Sequence, residues 1–217
     1  MSMRALIRSL LSAGKGLVGG LSEEAAGHDP LALFGRWFRE AEQSGIYLPE
    51  AMTLATISAD GGASARMMLL KGFDERGFRF FTNYESRKSQ ELLARQRAAL
   101  VFHWARLHRQ VRVEGEVFRL SDDESAEYFR SRPRGSQLGA WASKQSSVLA
   151  SRRQLEERYR QLESRFRGSE VPLPPFWGGF RLLPHRIEFW QGRANRLHDR
   201  LQFTRKGDGW KVVRLSP

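Results

Sequence analysis

The stretch between residues 51 and 120 constrains the fold most, because its apolar segments are short, strand-like and separated by tight turns. The segments read AMTLATIS, ARMMLLKGF, FRFFTN, AALVFHW and RQVRVEGEVFRL, with turn residues at 60–62 and 74–77. Val111, Val113 and Val117 show the alternation typical of a half-buried strand. Successive short strands joined by hairpin turns predict an antiparallel sheet that curls or closes into a barrel.

Helices are predicted beside this strand-rich stretch. Asp29 and Pro30 suit the N-cap and the first position of a helix, and Gly45 suits its end. The apolar residues between them recur at helical spacing and predict one buried stripe, formed by Leu33, Phe34, Trp37, Phe38 and Ala41. A short helix is also expected near residues 89–95. The predicted class is mainly β with flanking helices (α+β).

Further elements are predicted after residue 120. Residues 121–131 begin with a capping-box sequence and predict a helix, which the Pro-Arg-Gly-Ser sequence at 133–136 breaks. Residues 147–167 predict a long, charged surface helix that ends at a glycine. Residues 171–180, VPLPPFWGGF, predict a rigid loop, and residues 206–209 predict the turn of a final hairpin.

Length and composition allow one sizeable core. The chain has 217 residues, of which 41% are hydrophobic, and we expect a single domain over residues 29–217. Residues 1–28 start basic and contain several glycines, which favours a flexible N-terminal arm over a transit peptide or a surface-binding helix. No apolar run is long enough for a membrane span. The absence of cysteine excludes disulfides, thiolate catalysis and zinc–sulfur sites, and fits a cytoplasmic protein.

The charge of the chain is strongly basic. The formal net charge is +12, and the pI is about 10.9. Such a balance is typical of proteins with a polyanionic partner. The basic residues are interleaved with acidic and apolar ones along the whole chain, and phosphate-binding sites would account for several of them. Nucleic-acid binding is therefore kept as an alternative, and the leading interpretation includes no nucleic acid.

A candidate site begins at residues 187–200, IEFWQGRANRLHDR. Apolar residues alternate on both sides of a Gly- and Asn-containing turn at 191–195, which predicts a hairpin. Because alternate residues share one face of a strand, the hairpin would bring Trp190 close to three side chains, Arg196, His198 and Arg200. An aromatic plate, two cations and an imidazole could hold an anionic, ring-shaped ligand and handle a proton. The alternative is an exposed basic hairpin with a packed tryptophan.

Three further clusters carry polar or cationic side chains. The first is RMMLLK at 66–71, whose two cations would point to opposite faces of a strand. The second is TNYESRK at 82–88, where a strand exit meets a helix start that would suit a phosphate. The third comprises Tyr128, Arg132 and Ser136, followed by Gln145 and Ser146. Taken singly, each cluster could also be a solvated surface.

Several familiar chemistries are missing from the sequence. It contains no GxGxxG fingerprint, no P-loop, no HExxH motif and no nucleophile elbow, and its five histidines lack metal-ligand spacing. A protein without its own redox group or metal needs a cofactor for demanding chemistry. Two anion-binding clusters beside an aromatic plate would suit a phosphorylated cofactor next to a phosphorylated substrate.

These motifs, in their order along residues 29–217, resemble the pyridoxine/pyridoxamine 5′-phosphate oxidase family. The resemblance is carried by DPLALFGRWF, RMMLLKGFDERGFRFFTN, SRK, HWARLHRQVRVEG, YFRSRPRGSQLGAWASKQS, PPFWGGFR, IEFWQG, RLHDR and WKVVRLSP. It implies an FMN-binding split β-barrel that forms a homodimer, with both sites at the subunit interface.

The resemblance also implies site residues. The implied FMN contacts are Arg66, Met67, Met68, Leu69, Leu70, Lys71, Phe81, Thr82, Arg87, Lys88, Gln110, Gln145, Ser146, Trp190 and Arg200. The implied substrate contacts are Lys71, Tyr128, Arg132 and Ser136 at the phosphate, and Arg196, Leu197 and His198 near the pyridine ring. Arg196 and His198 are the implied catalytic residues, and no metal is implied.

The implied activity is oxidation of pyridoxine or pyridoxamine 5′-phosphate to pyridoxal 5′-phosphate in vitamin B6 biosynthesis or salvage. A hydride passes from C4′ of the substrate to the flavin, dioxygen is reduced to hydrogen peroxide, and ammonia leaves when the substrate is the amine. Many family members carry an Arg-Arg-Glu-Tyr segment in the N-terminal arm, whereas residues 13–16 here read AGKG, which puts arm-to-substrate contacts in doubt. The alternatives are a flavin- or pyridoxal-phosphate-binding carrier or sensor, and the nucleic-acid binder.

Overall fold

Residues 20–217, which the computed structural model describes, form nine β-strands and six α-helices. The strands are β1 (Ala51–Ile57), β2 (Ala63–Leu69), β3 (Phe73–Asp74), β4 (Gly77–Asn83), β5 (Arg97–Trp104), β6 (Arg109–Arg119), β7 (Trp177–Gln191), β8 (Asp199–Lys206) and β9 (Gly209–Arg214). The helices are α1 (Glu23–Ala26), α2 (Pro30–Gln43), α3 (Arg87–Ala94), α4 (Asp122–Ser131), α5 (Arg134–Ala142) and α6 (Arg152–Arg165). The predicted class, mainly β with flanking helices, is confirmed.

The long strand β7 organises the sheet. The sheet order is β2-β1-β5-β6-β7-β4-β3, with β8 also paired to β7 and β9 paired to β8, and the strand pairings are antiparallel. One edge of β7 pairs with β6, while the other edge pairs first with β4 and then with β8. Pro184, which has no amide hydrogen, lies between these two pairings. The sheet therefore divides along β7, as expected for a split barrel.

The β6–β7 register shifts between Glu114 and Gly115. A Cβ atom at Gly115 would lie 2.1 Å from the carbonyl oxygen of Leu183. Only glycine permits this close approach of the two backbones. The irregularity lies just where the outer edge of β7 changes partner.

Helix α2 packs against the barrel and supplies much of the core. Asp29 Oδ1 accepts hydrogen bonds from the amides of Leu31 and Ala32, which confirms the predicted N-cap. Phe34 is fully buried, and its ring meets Phe73 and other core phenylalanines edge-on at centroid distances of 4.8–5.0 Å. The predicted stripe is buried except for Phe38, which is partly exposed.

A second, smaller core lies where α4, α5 and α6 meet the start of β7. It contains Phe129, Leu138, Phe166, Val171 and Trp177. The predicted capping box at the start of α4 is present. These helices form a wall beside the open ends of β2 and β4, which is where the candidate site lies.

Three predicted boundaries in this region were wrong. The charged helix starts at residue 152 instead of 147, because the side chain of Ser151 caps it by accepting from the amide of Gln154. Of the predicted break at 133–136, only Pro133 lies outside a helix: α5 begins at Arg134, since Pro133 suits the residue before a helix. The predicted loop at 171–180 becomes strand from residue 177 onward, because this segment pairs with β4. Gly178 is needed in that strand, since a side chain there would collide with Tyr84.

The predicted N-terminal arm falls largely outside the described residues. The prediction for residues 1–19 stays a prediction. Of the remaining part, Leu21 and Ala26 are buried in the main core, and Arg214 on β9 pairs with Glu23 of α1 at 2.7 Å. The segment just before α2 is thus packed against the domain. Among residues 20–217, no helix is both long and apolar enough to span a membrane.

Candidate active site

A cavity of about 730 Å³ opens between the ends of β2 and β4 and helices α4 and α5. It brings together side chains from the three clusters that the sequence singled out. The predicted site residues that line it are Met67, Met68, Leu69, Lys71, Phe81, Thr82, Tyr128, Arg132, Ser136 and Gln145. Asn83, which belongs to the second cluster, also lines the cavity, although it was not among the predicted contacts. Trp177 lines it too, and the sequence reasoning missed it.

One wall of the cavity is aromatic and carries a guanidinium group. Tyr128 stacks on Phe81 at a centroid distance of 4.0 Å, and Phe81 stacks on Trp177 at 5.7 Å. The guanidinium of Arg132 lies 4.7 Å from the centroid of the Trp177 ring. Its Nη1 atom is buried and has no hydrogen-bond partner among the described residues. Burial lowers the pKa of Arg132 and raises that of Tyr128. This wall can hold an anion at Arg132 and an aromatic ring beside it.

A second cation, Lys88, belongs to the second cluster and lies in the first turn of α3. It is 7% exposed, and its Nζ atom lies 3.1–3.2 Å from Thr82 Oγ1, Ser86 Oγ and Gln145 Oε1. These partners are neutral. Burial, assisted by the charge of Arg66, lowers the pKa of Lys88 from 10.5 to about 8. The ammonium group is therefore buried without a direct counter-charge, as expected of a group that binds an anion.

The two cations of the first cluster have separate surroundings, as predicted, although β2 ends before Lys71. Lys71 lines the cavity, whereas Arg66 on β2 turns towards Thr56, Ser64 and Glu91. Leu70 between them is buried in the main core and does not line the cavity. The sequence reasoning missed Glu91, although its i+4 spacing from an arginine on α3 was a usable signal.

The predicted hairpin forms from β7 and β8 and holds a second group of site residues. Trp190 pairs with Arg200 across β7–β8 and with Gln110 across β6–β7. The ring of His198 lies 4.5 Å from that of Trp190. Arg200 Nε donates to Glu188 Oε1 at 2.9 Å, and this carboxylate is buried.

The loop of this hairpin is longer than predicted. It covers residues 192–198 and contains the short turn Ala194–Arg196, so Arg196 lies in that turn and not on the strand face with Trp190. The backbone amide of Arg193 donates to His198 Nδ1 at 3.1 Å. In the neutral imidazole the proton then resides on Nε2, which can act as a hydrogen-bond donor. Leu197 is exposed.

Within one chain the two groups of site residues remain apart. Gln110 on β6 and the hairpin residues do not line the cavity that the described residues form; the hairpin residues are Trp190, Arg196, His198 and Arg200. Arg87 at the start of α3 and Ser146 after α5 are exposed and do not line it either. A complete site that uses all predicted residues therefore needs a second surface.

Comparison with known proteins supplies the family. Residues 38–166 match the model of a family described as pyridoxamine 5′-phosphate oxidase. Residues 177–217 match a second model, described as the pyridoxine 5′-phosphate oxidase C-terminal dimerisation region. The second match covers β7, β8 and β9, which carry the hairpin group.

Individual relatives agree with the family match. A pyridoxine/pyridoxamine 5′-phosphate oxidase of Rubrobacter xylanophilus is 61% identical and covers 91% of each chain. One from Colwellia psychrerythraea is 51% identical over 100% of both chains. A solved structure of PhzG from Burkholderia lata, in complex with tetrahydrophenazine-1-carboxylic acid, is 31% identical, with a TM-score of 0.87 over 93% of this chain and all of that one.

A more distant structure supports the fold alone. A pyridoxamine 5′-phosphate oxidase-related, FMN binding protein from Nostoc punctiforme is 16% identical. Its TM-score is 0.69, over 87% of this chain and 98% of that one. The split-barrel architecture is thus shared well beyond recognisable sequence similarity.

Proposed function

The chain belongs to the pyridoxamine 5′-phosphate oxidase family, and from that premise we propose that it oxidises pyridoxine or pyridoxamine 5′-phosphate to pyridoxal 5′-phosphate. FMN is the cofactor that the family assignment supports. Dioxygen is the proposed electron acceptor, and hydrogen peroxide, with ammonia from the amine, is the proposed by-product. The observation that carries the proposal is a pair of cations beside one cavity. Arg132 lines the cavity and has a buried Nη1 atom, and the buried Lys88 contacts Gln145, which also lines it.

The residues around Lys88 fit the phosphate of FMN. The Lys88 ammonium lacks a direct counter-charge, and Arg66 is close enough to lower its pKa. Ser86 does not cap α3 with its side chain, so no N-cap side chain competes with an anion for the amides of the first helical turn. A phosphate monoester carries nearly two negative charges at neutral pH and would offset this concentration of positive charge.

The aromatic wall fits the phosphorylated substrate. Arg132 offers an unpaired Nη1 donor, and Tyr128, Ser136 and Lys71 supply further donors on the same cavity. A guanidinium binds phosphate strongly, because its N–H groups match two oxygens at once. Anchoring the substrate by its phosphate lowers the entropy cost of orienting the carbon that reacts.

When bound, FMN supplies the two-electron chemistry that no side chain can provide. The chain's own residues would orient the substrate and manage its proton. His198 carries a proton on Nε2, because Nδ1 accepts from the backbone, and can therefore donate a hydrogen bond to the hydroxyl or amine of the substrate. Arg196 would hold a positive charge beside the pyridine ring.

A homodimer would complete this site. The dimerisation region matches residues 177–217, which include Trp190, Arg196, His198 and Arg200. These hairpin residues do not line the cavity of their own chain. We therefore propose that the hairpin of one subunit faces the cavity of its partner, with FMN and substrate between them.

An absorption spectrum followed by anaerobic addition of pyridoxine 5′-phosphate tests the proposal. We expect a flavin band at about 450 nm that bleaches with substrate and returns with air, while oxygen is consumed. A band that does not bleach would leave a flavoprotein with another substrate or a carrier. If the protein binds no flavin even after FMN is added, the proposed function is wrong.

A further inference from the structure

A buried carboxylate, Glu91 on α3, joins two arginines from different elements. Its exposed fraction is 4%. Oε1 accepts a hydrogen bond from Arg87 Nε at 2.8 Å, and Oε2 accepts from Arg66 Nη2 at 3.1 Å and from Ser64 Oγ at 2.6 Å. Thr56 Oγ1 also donates to Oε2. One carboxylate thus fixes the guanidinium groups of β2 and of the first turn of α3.

Glu91 is ionised in the folded protein. Burial alone would raise its pKa, but hydrogen bonds from Ser64, Thr56, Arg87 and Arg66 outweigh burial and lower the pKa to about 2. At neutral pH the group therefore carries a full negative charge. Replacing it removes both the charge and the shared acceptor of the two arginines.

The arginines keep further donors. Arg87 uses only Nε for its contact with Glu91, and its Nη atoms make no other hydrogen bond among the described residues. Its side chain is 67% exposed, whereas that of Arg66 is 20% exposed. The carboxylate thus holds the inner edge of the Arg87 guanidinium and leaves the outer edge available to a ligand.

This arrangement adjoins the cavity through Lys88, the next residue on α3. Lys88 Nζ contacts Gln145 Oε1, which lines the cavity, and its pKa responds to the charges of both Arg66 and Glu91. Three cations and one carboxylate therefore act on one small region, with a formal charge of +2 for Arg66, Arg87, Lys88 and Glu91 together. That charge matches a phosphate monoester dianion.

We propose that Glu91 is a positioning residue for the phosphate of FMN, an inference that rests on the proposed function. It holds Arg66 and Arg87 in fixed conformations before the ligand arrives. Without it, three like charges would repel one another, and binding would have to order two long side chains. Phosphate binding would weaken, although a negative charge has been removed.

The direction of the effect makes the inference testable. If Glu91 were only a nearby negative charge, Glu91→Ala would strengthen phosphate binding. If it only supported the fold, FMN and riboflavin, which lacks the phosphate, would lose affinity equally. If Glu91 is a positioning residue, its removal should raise the Kd for FMN at least about tenfold. The Kd for riboflavin should change by less than about twofold.

The experiment measures Kd for FMN and riboflavin by quenching of flavin fluorescence in full-length wild type, Glu91→Ala and Glu91→Gln. Glu91→Gln keeps one oxygen, so we expect a smaller, intermediate loss of FMN affinity. If Glu91→Ala does not fold, the affinities of Glu91→Gln for FMN and riboflavin are compared instead. Glu85→Gln, at an exposed carboxylate just before α3, changes the charge equally and is expected to bind FMN like wild type.

Two results would overturn the inference alone. One is unchanged or tighter FMN binding in both Glu91 variants, and the other is an equal loss of FMN and riboflavin affinity. Wild-type protein that binds neither flavin would instead refute the proposed function, and this inference with it. The wild-type titration thus separates the two failures.

Discussion

Lys88→Met is expected to stabilise the unliganded protein while weakening its binding of FMN. The ammonium of Lys88 is buried, and its three hydrogen-bond partners, Thr82, Ser86 and Gln145, are neutral. Methionine has a similar length and no charge to desolvate. The same group that destabilises the free protein would attract the phosphate of the cofactor, so the two effects have opposite signs.

The lowered pKa sets the magnitude. Burial and the charge of Arg66 lower the pKa of Lys88 from 10.5 to about 8. One pKa unit corresponds to about 1.4 kcal/mol, so burying the charged form costs roughly 3 kcal/mol. Because methionine forfeits the hydrogen bonds, we expect a net gain in unfolding free energy of about 2 kcal/mol at pH 7, or a Tm rise of about 5 °C.

The pH dependence follows from the same shift. Below pH 8, Lys88 is charged in both folded and unfolded chains, and the destabilisation is fully present. Between pH 8 and 10.5 the folded protein releases the proton while the unfolded chain keeps it, so the stability of wild type rises relative to the variant. The Tm difference should therefore shrink as pH increases through this window.

Two measurements check these effects. Thermal unfolding of the FMN-free proteins at pH 7 and pH 9.5 gives the stability difference. Fluorescence titration with FMN at pH 7 gives the affinity, which should fall roughly 10- to 100-fold in Lys88→Met because a charge-assisted hydrogen bond is lost. A variant that is less stable than wild type at pH 7, or a Tm difference that does not change with pH, would refute the reasoning.

Three further predictions concern the site and the core. Arg132→Ala should raise KM for pyridoxine 5′-phosphate about 10- to 100-fold in steady-state assays, because its unpaired donor binds the substrate phosphate, and a KM within twofold of wild type would contradict that role. Arg196→Ala should reduce kcat at saturating FMN far more than Lys88→Ala does, and equal losses would count against the assigned roles. Phe34→Ala should lower the free energy of unfolding in urea by about 3–5 kcal/mol, because the ring is fully buried, and a loss below about 1 kcal/mol would be inconsistent with this packing.

Local patterns predicted the elements whose signals lie close together in the sequence. Helix α2 begins at its predicted Asp-Pro pair, and α4 begins at its predicted capping box, because both caps are formed by residues within one turn. The alternation of Val111, Val113 and Val117 predicted β6, since one face of that strand is buried. Such features need no knowledge of distant residues.

Errors occurred where a distant residue decides the local structure. The prolines and glycines of 171–180 indicated a loop, yet residues 177–180 form a strand because they pair with β4. Gly178 is needed there because Tyr84 fills the space that a side chain would take. The hairpin was predicted correctly, but the length of its loop was not, and this moved Arg196 off the strand face. No pattern within these segments reports such contacts.

The sequence by itself determined the family, the main secondary structure and the kinds of side chain available for anions, since these depend on residue type, spacing and order. Tertiary structure alone decided what those side chains can do. Glu91 meets Arg66 only because α3 packs against β1, the neighbour of β2, and Lys88 has a lowered pKa only because it is buried near that arginine. Charge states and pairings of this kind arise from burial and from contacts between distant segments, which no local stretch of sequence encodes.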